Sequence, residues 1–128
     1  MQVQEGQVIL VENGRITELL PAEEAGKRNL KASGYEEIDL QGKYILPGLI
    51  NMHVHLAGNG KPQKKQRDNE ALVKKIMSNG LTKAIAYNMV CGFAKDELYS
   101  GVTTIRTVGG LGDFDTRLRD DIAAGKKP

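Results

Sequence analysis

An α/β architecture is predicted: a small β layer, then two strand–helix units of a parallel sheet. Three observations carry this. Two short apolar stretches flank Asn13-Gly14, a pair suited to a two-residue hairpin turn because both central residues need positive φ. The run Leu49–Leu56 is apolar apart from Asn51, His53 and His55, as in a strand covered on both faces of a parallel sheet. Gly101–Val108 is rich in β-branched residues, and the long stretch before it carries helix signals, so the link between the two strands is a crossover.

The elements follow in order. Gln7–Val11 and Arg15–Leu19 form the hairpin, stopped by Pro21. Residues 22–35 are small and polar and predict a loop, with one helical turn at Ala22–Lys27. Glu36–Leu40 predicts a short strand, Gln41-Gly42 a turn, and Lys43–Leu46 a further strand-like piece stopped by Pro47-Gly48. After 49–56 comes a loop over 57–67. A first helix is capped by Asp68 or Asn69 and ended by Gly80; a second is capped by Thr82, carries Ile85, Met89, Phe93 and Leu98, and stops at Gly101. Strand 102–108 is parallel to and beside 49–56. The loop Gly109–Gly112 leads to a last helix capped by Asp113 or Asp115 and ended by Gly125.

Composition excludes several classes. The 128 residues carry a net charge of +2, too small for a protein that lives on phosphate contacts. That charge is uneven: residues 1–60 hold 5 basic and 8 acidic residues, and residues 61–128 hold 13 and 8. Trp is absent and aromatics are 5%, against a base-stacking or carbohydrate platform. The single cysteine, Cys91, allows neither an intrachain disulfide nor a cysteine-built zinc site. With no signal-peptide pattern and no apolar run of the ~18 residues a membrane span needs, the cytoplasm is expected.

Two strand–helix units are far short of the ~250 residues of a complete (β/α)8 barrel. The chain is therefore either a small open sheet or a piece of something longer, and the piece is the expectation. Its division is 1–46, an incomplete β domain, and 47–128, an incomplete α/β unit.

His53-Val54-His55 is the constellation that carries chemistry. Residues i and i+2 of a strand share a face, so two imidazoles can reach one metal ion. They are the only histidines in the chain, at the carboxyl end of an apolar strand, where α/β barrels place their active sites. Histidines on an exposed strand with no ligand are the alternative. Asn51, by strand parity on the same face, either hydrogen-bonds near the metal or holds the turn. Arg106 ends a strand and meets substrate or, more simply, an internal carboxylate.

The segment Leu46-Pro47-Gly48-Leu49-Ile50-Asn51-Met52-His53-Val54-His55 resembles the first barrel strand of the amidohydrolase superfamily. Four further features resemble the family in order: Asn13–Ile16 its "dGrI" hairpin, Ile38–Lys43 the strand entering the motif, Gly101–Arg106 its second barrel strand, and Leu118–Gly125 the helix that follows. Imidazolonepropionase- and prolidase-related metal-dependent hydrolases are the most similar subset. The resemblance implies the first two strand–helix units of a (β/α)8 barrel behind a small β-sandwich-like domain, with His53 and His55 on a divalent metal, most often zinc. It implies hydrolysis of cyclic amides, N-acyl amino acids or Xaa-Pro dipeptides by a metal-activated water. The catalytic base and the other ligands (a carboxylated lysine or glutamate and two more histidines) come from later strands, so none is expected here and the 128 residues alone are expected to be inactive. There are departures: Thr107 stands where the family has an aspartate, and the strand that usually precedes the hairpin has no counterpart.

Other signals are weaker. Lys61, Lys64, Lys65 and Arg67 form a basic run, either a flap drawing an anionic substrate to the metal or a solvated loop, and Lys61 is a candidate substrate contact with Asn51 and Arg106. Gly109-Gly110-Leu111-Gly112 lacks the phosphate-binding pattern and reads as a turn at the site's rim. Cys91 reads as a packed thiol. The expected partner is a small amide or dipeptide, with no nucleic acid and no membrane, and a homo-oligomer is allowed. The alternative function is a non-catalytic fragment that associates through open sheet edges.

Overall fold

The computed structural model describes residues 2–58, 60 and 68–127. It divides into two units, Met1–Ile45 and Leu46–Pro128.

In the first unit β1 (Gln7–Glu12) and β2 (Arg15–Pro21) pair antiparallel across Asn13 and Gly14, whose φ values of 51° and 73° are those of the expected turn. The register slips by one residue between Leu10 and Val11. Leu10 and Leu20 are buried against Ala25 of α1 (Ala22–Lys27), with Val8, Leu30 and Tyr35 around them. Arg28 ties α1 to β2 with a two-pronged contact to Glu18, at 2.8 and 3.0 Å, and a bond to Glu24. The strands expected at Glu36–Leu40 and Lys43–Leu46 do not form. Extended backbone needs a neighbouring ladder, and β1 and β2 pair only with each other among the described residues. Ile38, Tyr44 and Leu46 are accordingly exposed.

The second unit runs β3 (Leu49–Val54), α2 (Asn69–Met77), α3 (Gly80–Tyr99), β4 (Val102–Thr107), α4 (Phe114–Ala123). β3 and β4 are adjacent and parallel, the arrangement the long helical connection requires. Leu49 N–H donates to Gly101 O at one end of the pair and Val108 N–H to Val54 O at the other. Between Asn51 and Val54 the ladder slips, with three steps along β3 opposing two along β4. Gly48 is set by contact: a Cβ there would collide with the side chain of Thr103.

The core lies on one face of this sheet. Val54 and Leu56 meet Ala86, Tyr87 and Val90 of α3 and Phe114 and Leu118 of α4. Asp68 caps α2 by accepting from Ala71 N–H at 3.0 Å. The cap of α3 is Asn79, not Thr82: Asn79 Oδ1 accepts from Thr82 N–H at 2.9 Å, and the Thr82 hydroxyl donates to Ile76 O instead. An Asx side chain reaches the third N–H of a helix readily, so the asparagine ahead of Gly80 takes the position. Asp113 precedes α4 without a side-chain cap bond. The expectation that β3 is covered on both faces is not met among the described residues: Leu49, Ile50 and Met52 are 58, 64 and 59% exposed. Coverage needs sheet or helix on both sides, and here helices pack on one.

α3 and α4 are joined by a polar knot at the edge of that core. Tyr87, 4% exposed, donates its hydroxyl to Asp121 Oδ2 at 2.5 Å, and the Arg117 guanidinium lies 3.9 Å from the ring centre. Burial, then the bond to Asp121, pushes the Tyr87 phenol above its ordinary range. That same bond, helped by Lys126 and Arg117, holds the Asp121 carboxyl below its ordinary 3.8, against desolvation.

Two predictions follow from this packing. Gly48→Ala forces Cβ into Thr103 and lowers stability in chemical denaturation by about 1–3 kcal/mol, as overpacking does. Asp121, ionising below its unfolded value, contributes stability that is present above about pH 4 and lost as the pH falls through its folded value. In Tyr87→Phe that carboxylate loses its main support, so denaturation midpoints measured from pH 7 to pH 3 fall less steeply than in the wild type.

Candidate metal centre

Val54 and Leu56 face the core, which leaves His53 and His55 exposed on the other side of the chain. The two rings converge: their Nε2 atoms are 3.3 Å apart and their planes lie 65° to one another. Asn51 Oδ1 accepts from His53 N–H at 3.2 Å, an i to i+2 bond that holds the irregular turn of β3 just before the first histidine. The ladder slip interrupts simple strand parity here, so the part Asn51 plays in this geometry is to fix the backbone.

His55 stands just past β3 and has a second partner. Its Nδ1 is 3.1 Å from Gly109 O, on the loop after β4. A carbonyl can only accept, so this bond requires the tautomer with its proton on Nδ1, in which Nε2 is the acceptor. Nε2 is the atom that approaches His53 Nε2.

This donor set fits a divalent cation. Zinc–nitrogen bonds of ~2.0–2.1 Å at a tetrahedral angle place two ligand nitrogens about 3.3 Å apart. The observed separation is 3.3 Å, and one of the two rings makes the outward bond to a carbonyl that ligating histidines commonly make. Two imidazoles are fewer than the three protein ligands of a catalytic zinc site. Among the described residues no group of three His, Cys, Asp or Glu side chains could hold a metal.

The remaining candidates are dispersed. Arg106 is exposed on β4 and has no ion-pair partner among the described residues, so the internal carboxylate expected for it is not found; an exposed guanidinium is solvated and needs none. Lys61, with Lys64, Lys65 and Arg67, lies outside the described residues. Cys91 is half-buried against the core. Two contributors were not read from the sequence as such: the Gly109 carbonyl and Asp115, whose Oδ1 is buried without a partner among the described residues. A paired glycine at the carboxyl end of the neighbouring parallel strand was the available signal for the first. Among the described residues no helix is long and apolar enough to cross a membrane.

No family model matches the chain. Individual relatives do. It is 33% identical to an imidazolonepropionase of Pseudoalteromonas atlantica, over 91% of this chain and 31% of that protein. It is 30% identical to an imidazolonepropionase of Salmonella paratyphi A, over 84% of this chain and 29% of that one. A dihydroorotase of Trichlorobacter lovleyi is 44% identical over 44% of this chain and 12% of that protein. The chain belongs to the amidohydrolase superfamily, of which imidazolonepropionase and dihydroorotase are both members. It spans under a third of the length of the curated relatives it matches.

Proposed function

We propose that this chain carries two metal ligands, His53 and His55, of a metal-dependent hydrolase acting on amide-like C–N bonds. The observation that carries the reading is the Nε2–Nε2 approach at 3.3 Å, with His55 Nδ1 3.1 Å from the Gly109 carbonyl on the far side of its ring. Membership of the superfamily supports the reaction class. On this reading β3 and β4 are the first two strands of a (β/α)8 barrel, residues 1–46 belong to a small β-sandwich-like domain, and the compartment is the cytoplasm.

The chain's own residues divide the work. His53 and His55 hold the cation, with zinc proposed. Asn51 fixes the backbone that delivers His53, and the Gly109 carbonyl orients His55. Arg106, on the neighbouring strand and unpaired among the described residues, is proposed to face the substrate, as is Lys61. A divalent cation held by His53 and His55 would supply Lewis-acid chemistry, polarising a carbonyl and acidifying a water towards a pKa of ~7. On this reading a base for the water's proton and further ligands would correspond to parts of the relatives that residues 1–128 do not span. Of the amide classes, cyclic amides are favoured, since imidazolonepropionate and dihydroorotate, the compounds in the relatives' names, are rings.

Zinc titration by calorimetry tests the site. The 128-residue chain is expected to bind zinc weakly and to hydrolyse neither ring, with binding lost in His53→Ala and in His55→Ala. In a chain extended to its relatives' length, each substitution is expected to reduce hydrolysis of imidazolonepropionate or dihydroorotate to background. Unchanged zinc binding in both variants, or wild-type turnover in either, overturns the reading.

A second reading has its own observation. Among the described residues the sheet β3–β4 has two strands, and Leu49, Ile50 and Met52 on it are exposed. A non-catalytic fragment with such a sheet associates through its open edges. Light scattering behind size exclusion separates the readings: a mass that climbs with concentration supports association, and a constant monomer mass counts against it.

A further inference from the structure

The turn Gly109-Gly110 is confined from both sides. On one side the Gly109 carbonyl receives the Nδ1 proton of His55 at 3.1 Å. Gly109 holds φ +146°, which side-chain-bearing residues rarely adopt, and a Cβ there would lie 3.5 Å from His55 Cε1 and 3.6 Å from Nδ1. On the other side a Cβ at Gly110 would run into the carboxylate of Asp115, from the first turn of α4. The start of the turn is tied down by Val108 N–H, which donates to Val54 O at 3.1 Å.

Asp115 stands out because its Oδ1 is buried with no hydrogen-bond partner among the described residues. Burial of such an oxygen is unfavourable. What holds it in place is packing: its carboxylate fills the space that the missing side chain of Gly110 leaves.

We infer that the Gly109-Gly110 turn, backed by Asp115, is a positioning element that keeps the proton on His55 Nδ1 and so leaves Nε2 free for a cation. The inference deepens the reading of His53 and His55 as metal ligands and rests on it. A neutral imidazole has one proton and two nitrogens. With the carbonyl fixed in front of Nδ1, the tautomer is decided before any cation arrives. Asp115 and Gly110 touch neither cation nor substrate; they act through the Gly109 carbonyl. The effect on binding is that of an outer partner of a ligating histidine, whose loss typically costs 10–100-fold in metal affinity.

The test is long-range proton–nitrogen NMR on the metal-free 128-residue chain at about pH 9, above the ordinary imidazole range. The wild type is expected to show His55 protonated at Nδ1 and bare at Nε2. Gly110→Ala pushes the turn off Asp115 and shifts His55 to a mixture of tautomers. Asp115→Ala, which removes the backing, shifts it part of the way. The double variant returns it to the wild-type state, because the added methyl occupies the room the carboxylate leaves. Zinc affinity is expected to fall about 10–100-fold in Gly110→Ala and to recover in the double variant. If Gly110→Ala does not fold, the wild-type and Asp115→Ala spectra decide. A wild-type His55 protonated at Nε2 overturns the inference whether or not zinc binds, and so do wild-type spectra from all the folded variants. A His55 protonated at Nδ1 in a chain that binds no zinc overturns the metal reading and leaves the role of the turn standing.

Discussion

Parallel pairing of β3 with β4 is the constraint on which everything else in the second unit depends. Its two flanking hydrogen bonds, Leu49 to Gly101 and Val108 to Val54, align the strands so that both carboxyl ends emerge together. His55 then lies beside Gly109 although 54 residues separate them. An antiparallel pair would carry Gly109 to the other end of the sheet, and His55 would have no carbonyl to bond. The direction of a backbone ladder thus determines which carbonyl a side chain 54 positions away can bond.

The same sheet separates packing from chemistry. Val54 and Leu56 interleave with the histidines along the chain and point to α3 and α4, where Tyr87, Val90, Phe114 and Leu118 enclose them. The histidines are left exposed, with no helix of the described residues packed over them. Their burial in the core would require partners for four ring nitrogens. Placed as they are, one ring bonds the Gly109 carbonyl and the two rings face each other. The relatives and the geometry speak to different questions: the superfamily concerns a class of reaction, and the distances concern which atoms could take part.

Much of this was legible in the sequence, for identifiable reasons. The hairpin was, because Asn13-Gly14 specifies its own turn. So were the strands around His53 and Thr104, because a long connection between two β-rich runs leaves little but a parallel crossover. The histidine pair was conspicuous, since a spacing of two on a strand is a spatial statement. What was not legible was whatever depends on a neighbour. Glu36–Leu40 has the composition of a strand, but a strand exists only against another. The cap of α3 passed from Thr82 to Asn79 because both residue types cap helices and only the backbone path chooses between them. The irregularity in the β3 register between Asn51 and Val54, where Asn51 Oδ1 accepts from His53 N–H, has no local signature. Asp115 looked like an alternative helix cap, and its place against Gly110 is a tertiary fact.

The separation of His55 from its carbonyl partner has a consequence for how this chain acquires its shape. The bond closes a loop that contains α2, α3 and β4, and closing a loop of that length carries an entropic cost that grows only slowly with length. The ring cannot be oriented until the crossover has folded back and β4 has docked on β3. Local helix formation leaves it free; completion of the sheet fixes it. The orientation of one imidazole is therefore tied to completion of the sheet rather than to the helices of the crossover.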